Sequence, residues 1–151
     1  MTGRQLFDGI EYNREQYTDW RQVVDHAAEF FISHRFAEKA YFEYVKKDLE
    51  DNEAYMVIVP HIVLLHSAPE HGALRNAFHF MKLEHPVNFC HECNDPVRIV
   101  LSFACTSSQE HLESIERLAA MLMDENFVSR IFEISSEPEL KEYLQEISVS
   151  L

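Results

Sequence analysis

Apolar residues recur at helical spacing from Trp20 to Phe31. Trp20, Val23, Val24, Ala27, Phe30 and Phe31 form one broad stripe, which predicts an amphipathic helix. Asp19 stands at its start with Gln22 three residues on, a capping-box pair. His34, near the stripe's end, reads as a surface or capping histidine. A second helix is predicted from Ala37 to Leu49, with Ala37, Ala40, Tyr41, Tyr44, Val45 and Leu49 inward and Lys46, Lys47 and Asp48 toward water. Glu50, Asp51 and Glu53 then read as a solvated loop. Beyond them the period changes. Tyr55 to Val59 is apolar throughout, as a central strand would be. Pro60 stops it, and His61 to Leu65 is a second short apolar run that delivers His66. From Arg75 to Leu83 the pattern alternates, with Ala77, His79, Met81 and Leu83 on one side and Asn76, Phe78, Phe80 and Lys82 on the other. Val97 to Ala104 is the third strong strand, reached through a polar connection from Glu84 to Pro96.

Thr106, Ser107 and Ser108 open another helix, with Ser107 and Glu110 as a capping pair. Its inward face is His111, Leu112, Ile115, Leu118, Ala119 and Leu122. Asp124 caps a short helix holding Phe127, Val128, Ile131 and Phe132. Ser136, Pro138 and Glu139 begin the last, with Leu140, Tyr143, Leu144 and Ile147 inward. Residues 1 to about 17 carry little pattern and read as a poorly ordered lead-in. Helices before and after the strands can cover both faces of a sheet. The expected fold is α/β: a three-layer α/β/α sandwich with a mixed sheet of about four to six strands. The 151 residues suit one domain, 1–151, with a proper core.

A net charge of −13 argues against a protein that grips a nucleic-acid backbone. No apolar run is long enough to span a bilayer, and MTGRQLFDGI lacks a signal-peptide core. With only three cysteines, reduced thiols and a cytoplasmic protein are expected. The three glycines, Gly3, Gly9 and Gly72, build neither a GxxxxGK[ST] loop nor a GxGxxG turn. No nucleotide or other cofactor is therefore expected, and any phosphate handled here would arrive on a partner.

Two histidines carry the candidate chemistry. His66 ends an apolar run and is followed at once by Ser67, Ala68, Pro69, Glu70, His71 and Gly72. A neutral imidazole at a strand end can act as a nucleophile toward phosphorus; on position alone, a merely hydrogen-bonded histidine is the commoner case. His111 falls in the first turn of a helix that directly follows a strand. There backbone N–H groups attract anions and disfavour an imidazolium, although the edge of an apolar face would explain it too. His61, His66 and His71 are five residues apart, which suits neither a helix face nor one strand face. Cys90-His91-Glu92-Cys93 is a lone CxxC, so no metal site is expected. Cys105 reads as a small buried residue. Arg75 and Arg98 are the nearest cations, each able to meet a phosphate or to sit in a salt bridge.

With these residues placed, the chain resembles the EIIA component, mannitol/fructose type, of the bacterial phosphoenolpyruvate:sugar phosphotransferase system, and within it the ascorbate-like subgroup. The resemblance runs from about Trp20 to Ile147. It is most specific in YMVIVPHIVLLHSAPEHG, and PVNF, NDPVRIVLSFAC and SSQEHLESIERLA match in order and spacing. It implies that His66 accepts a phosphoryl group from phospho-HPr and passes it to a cysteine of an EIIB component for sugar uptake and phosphorylation. It further implies that His111 helps hold that group, and that the membrane component EIIC is met only indirectly. The chain departs from the family pattern at Leu65, where proline is frequent, at Ala68, where arginine is frequent, and at His61, where glycine is frequent. A regulatory or binding module without efficient phosphotransfer is the alternative these departures raise. A homodimer stays open.

Overall fold

The computed structural model describes residues 6–51, 56–89 and 94–150. Its centre is an antiparallel pair, β3 (Ala77–Val87) and β4 (Val97–Ala104), with Phe80 opposite Leu101 and Met81 opposite Val100. Each outer strand runs parallel to its neighbour. β1 (Gly9–Asn13) lies along His79–Leu83, and β2 (Ile62–Leu65) along Ile99–Ser102, so the sheet order is β1-β3-β4-β2.

Helices α1 (Trp20–Ser33) and α2 (Lys39–Asp51) cover one face. Helices α3 (Ser108–Leu122), α4 (Glu125–Glu133) and α5 (Glu137–Ser150) cover the other. This is the three-layer sandwich with a mixed sheet that the pattern predicts. The alternation in β3 sorts its residues accordingly. Ala77, Met81 and Leu83 enter the core under α1 and α2, while Phe78 and Phe80 enter the core under the other three helices. Lys82 goes with Phe80 and caps the end of α4, its Nζ donating to the carbonyls of Ile131, Phe132 and Ile134. The start of α1 is closed as expected, with the N–H groups of Thr18 and Asp19 donating to Gln22 Oε1.

Three expectations need correction. First, the stretch read as a poorly ordered lead-in contains β1. Leu6 and Phe7 are buried, and Phe7 meets the Phe80 ring edge-on at 5.4 Å. Ile10 and Tyr12 are too few apolar residues to show a period. What orders them is tertiary: the ladder to β3, and α5, whose Glu137 carboxylate accepts from the Tyr12 N–H. Gly9 is required there, because a Cβ would lie 2.5 Å from the Phe30 ring and 2.8 Å from that of His79.

Second, the strand predicted from Tyr55 to Val59 does not form over its described part, Met56 to Val59. Val59 makes only an isolated bridge to Ile62 across a tight turn, with His61 at φ 70°. Met56 and Val57 are buried all the same, so the apolar run reflects packing beside the sheet. Tyr55 and the Cys90–Cys93 stretch lie outside the described residues. Third, the inward faces of two helices are rotated from the predicted ones. Leu112 is exposed and Ser114 is buried on α3; on α2 Tyr44 and Ala40 are exposed and Phe42 is buried.

Candidate functional site

Strands β2 and β4 are parallel, so their C-terminal ends emerge together. β2 delivers His66, and β4 delivers Phe103 and then the start of α3. Connectivity thus brings His66 and His111 to one edge of the sheet from positions far apart in the chain. Their ring centroids are 5.5 Å apart. Phe103 is the floor beneath both. The His66 ring lies flat on it at 5.2 Å, and His111 leans on it at 5.3 Å and 50°.

The tautomer of His66 follows from a hydrogen bond within its own strand end. Its Nδ1 lies 2.8 Å from the carbonyl oxygen of Leu64. A carbonyl only accepts, so Nδ1 carries the proton and the lone pair of the neutral ring is on Nε2. Burial pushes the imidazole below its ordinary pKa; the Leu64 carbonyl opposes this, His111 adds to it, and Asp48 opposes it weakly. Burial also lowers His111, with Glu70 opposing. Both rings are therefore neutral near pH 7.

The backbone around the pair is tied down from two sides. Tyr41 of α2 is fully buried, and its hydroxyl accepts from the Ser67 N–H at 2.9 Å while its proton is directed at the carbonyls of Phe103 (2.8 Å) and Ser67 (3.1 Å). On the other side, Asn76 at the start of β3 donates to Glu110 (2.7 Å) and accepts from the Thr106 N–H (2.9 Å). Ser107 caps α3 by accepting from the Glu110 N–H, while the Glu110 carboxylate accepts from Asn76. The His111 Nδ1 is buried and has no protein partner among the described residues.

The other candidates do not join this pair. His61 lies at the opposite end of β2, bonded to the Pro96 carbonyl at 2.8 Å. His71 sits in the 3-10 turn Pro69–His71, its Nδ1 2.7 Å from Ser67 Oγ and its ring stacked on Tyr44. Among the described residues no group of three or more His, Cys, Asp or Glu side chains is placed to hold a metal ion. Arg98 lies over the Phe132 ring near the N-terminal end of β4. Arg75 is exposed, with its N–H on the Phe36 carbonyl. Cys105 is buried against Ser114, as expected of a small core residue. Sequence reasoning missed Phe103 and the Tyr41 hydroxyl. The one available signal was a tyrosine on an apolar helix face, whose hydroxyl needs partners if buried.

Comparisons with known proteins agree with this picture. The model of the phosphoenolpyruvate-dependent sugar phosphotransferase system EIIA 2 family matches residues 8–147. The mannitol-specific cryptic phosphotransferase enzyme IIA component of Escherichia coli K12 is 22% identical over 126 residues, covering 83% of this chain and 85% of that protein. An ascorbate-specific phosphotransferase-system EIIA component from Salmonella typhi is 28% identical over 113 residues, covering 74% of this chain and 73% of that protein. Among solved structures, the solution structure of the Escherichia coli cryptic mannitol enzyme IIA superposes with a TM-score of 0.74 at 17% identity, over 96% of this chain and 95% of that one. The Escherichia coli mannitol enzyme IIA, solved in complex with phosphorylated enzyme IIB, superposes with a TM-score of 0.70 at 21% identity, over 89% and 92%. At these identities the structures speak for the shared fold.

Proposed function

The chain belongs to the EIIA 2 family of the phosphoenolpyruvate-dependent sugar phosphotransferase system, and on that premise we propose that it is a phosphocarrier with His66 as its phosphoryl acceptor. The observation that carries the assignment is the Nδ1–H of His66 held on the Leu64 carbonyl, which leaves the lone pair on Nε2 of a ring centred 5.5 Å from that of His111. Burial keeps that ring neutral, as a nucleophile must be.

In the proposed reaction the Nε2 lone pair attacks the phosphorus of phospho-HPr. The Nε2–P bond forms, the donor's N–P bond breaks, and its electron pair returns to the donor imidazole. The proton stays on Nδ1, hydrogen-bonded to the Leu64 carbonyl, throughout. In the second step a cysteine thiolate of an EIIB component attacks the same phosphorus, and the lone pair returns to Nε2. His111 supports the phosphoryl oxygens, and the first turn of α3 adds backbone N–H groups aimed at negative charge. EIIB as the acceptor rests on the family and on the mannitol relative solved with enzyme IIB. No described helix is long and apolar enough to cross a membrane.

The discharge step tests this reading. Phosphorylated protein is mixed with an EIIB component carrying its cysteine or a serine in its place. Transfer to the cysteine form alone is the expected result. Phosphoryl loss at the same rate with both forms, or with neither present, would favour a regulatory module over a carrier.

A further inference from the structure

We propose that Tyr41 is a positioning residue for phosphotransfer: its buried hydroxyl sets the tautomer and ring plane of His66 by locking the backbone at Ser67, which follows it, and at Phe103, on which it stacks. The inference rests on His66 being the acceptor. It starts from the end of a ladder. The β2–β4 pairing stops at Leu65–Ser102, one residue short of His66 and Phe103. Beyond that point β4 stays paired to β3 as far as Ala104, while the chain after Leu65 leaves the ladder unless something holds it to β4. The Tyr41 hydroxyl does so, taking the Ser67 N–H at 2.9 Å and giving its proton to the Phe103 carbonyl at 2.8 Å, with the Ser67 carbonyl at 3.1 Å.

These contacts fall on the residue after the nucleophile and on the residue whose ring the nucleophile stacks against. Because Tyr41 is on α2, the helix is made part of the site. The loop after His66 is held on the same helix entry a second time, with the Glu38 N–H donating to the Gly72 carbonyl at 2.8 Å. Gly72 has φ 129°, where a side chain is strained, and a Cβ there would lie 3.3 Å from Glu38 Cβ and from the Tyr41 backbone nitrogen. The loop is thus fastened at both ends, at Ser67 and at Gly72. Without the hydroxyl the Ser67 N–H and the Phe103 carbonyl, both buried, would have to find new partners by shifting the backbone. Phe103 stays paired to Phe78 of β3, so that shift would move the His66 ring across the Phe103 floor and release the Leu64 contact that selects the Nδ1–H tautomer.

Tyr41→Phe keeps the ring and removes only the bridge. The expected result is a folded protein whose kcat for accepting a phosphoryl group from phospho-HPr falls by a factor on the order of ten to a hundred, with KM unchanged. In a merely structural role the variant would lose stability alone, so the deciding readout is ¹⁵N NMR of the His66 ring. Wild type should show one tautomer, protonated at Nδ1, and Tyr41→Phe a mixture. Val45→Ala, which trims a buried residue of the same helix, should destabilise the protein and leave the tautomer and the rate as in wild type. Wild-type tautomer and rate in Tyr41→Phe would overturn the proposal. Should that variant fail to fold, the wild type decides: slow hydrogen exchange of the Ser67 amide supports the bridge, and free exchange overturns it. His66→Ala, run in parallel, judges the acceptor separately. An adduct on that variant would overturn His66 as acceptor, while the tautomer measurement still reports on Tyr41.

Discussion

The His66 and Phe103 rings are stacked with their planes 6° apart and their centroids 5.2 Å apart. A ring in that setting has lost water from one face, and burial holds its pKa below the ordinary histidine value. The folded pKa lies below the unfolded one, so the unfolded chain binds the extra proton first. The contribution to stability is therefore present above about pH 6.5 and is lost as pH falls through the folded value. Phosphoryl acceptance should stay level as pH is lowered through 6.5 and decline only below it. A ¹H NMR titration of His66 checks this, and a midpoint at or above 6.5 contradicts it.

His111 is expected to act on rate and not on occupancy. Its ring is half-buried 5.5 Å from His66. His111→Ala should slow transfer by about two to three orders of magnitude, the usual cost of one preorganised donor, and still allow one phosphoryl group per chain. Stopped-flow transfer from phospho-HPr measures this; an unchanged rate would remove His111 from the site.

A second histidine cluster should govern acid stability. Glu11 on β1 lies 2.8 Å from His26 Nε2 of α1 and 3.5 Å from His79 Nε2 of β3. Burial pushes His79 down to about 4. The folded protein therefore loses about 3 kcal/mol of stability, relative to its value above pH 6.5, as pH falls toward 4. Burial alone would raise Glu11, but the His26 hydrogen bond and charge bring it below its usual value. Its contribution is also present at neutral pH and lost on acidification. His26 is raised by its hydrogen bond to Glu11, so its share runs the other way and is lost as pH rises through the raised value. His79→Leu should cost less than about 1.5 kcal/mol at pH 7 and flatten the acid limb of stability against pH. Urea unfolding at pH 7 and pH 5 reads the difference; parallel curves for variant and wild type would contradict it.

Lys82 closes the C-terminal end of α4 with three hydrogen bonds from a side chain that is 4% exposed. Lys82→Met keeps the stem and leaves three carbonyls without that donor, at an expected cost of about 2–4 kcal/mol. The urea midpoint should fall with an unchanged slope. A cost below about 0.5 kcal/mol would mean water replaces the ammonium without loss.

Much of the architecture could be read from periodicity, because both cores need a continuous apolar face from each element. β4 and α1 are found where the pattern puts them. What escaped is held by neighbours and not by local pattern. β1 has five residues of mixed polarity and exists because β3 and α5 offer it partners. Met56 to Val59 is apolar for burial beside the sheet, and the turn at Pro60–His61 turns it away from the ladder. At the site, both imidazoles were visible as residues ending a strand and opening a helix. Their shared floor at Phe103 and the Tyr41 bridge were not, since each depends on β2 and β4 running parallel and on α2 crossing their ends.

The most direct test of the central claim is the intact mass of the protein after incubation with phosphoenolpyruvate, enzyme I and HPr, wild type beside His66→Ala. The account predicts a single acid-labile phosphoryl adduct on the wild type and none on the variant. An adduct that persists in His66→Ala, or a wild type that takes up no phosphoryl group from HPr of its own organism, would contradict it.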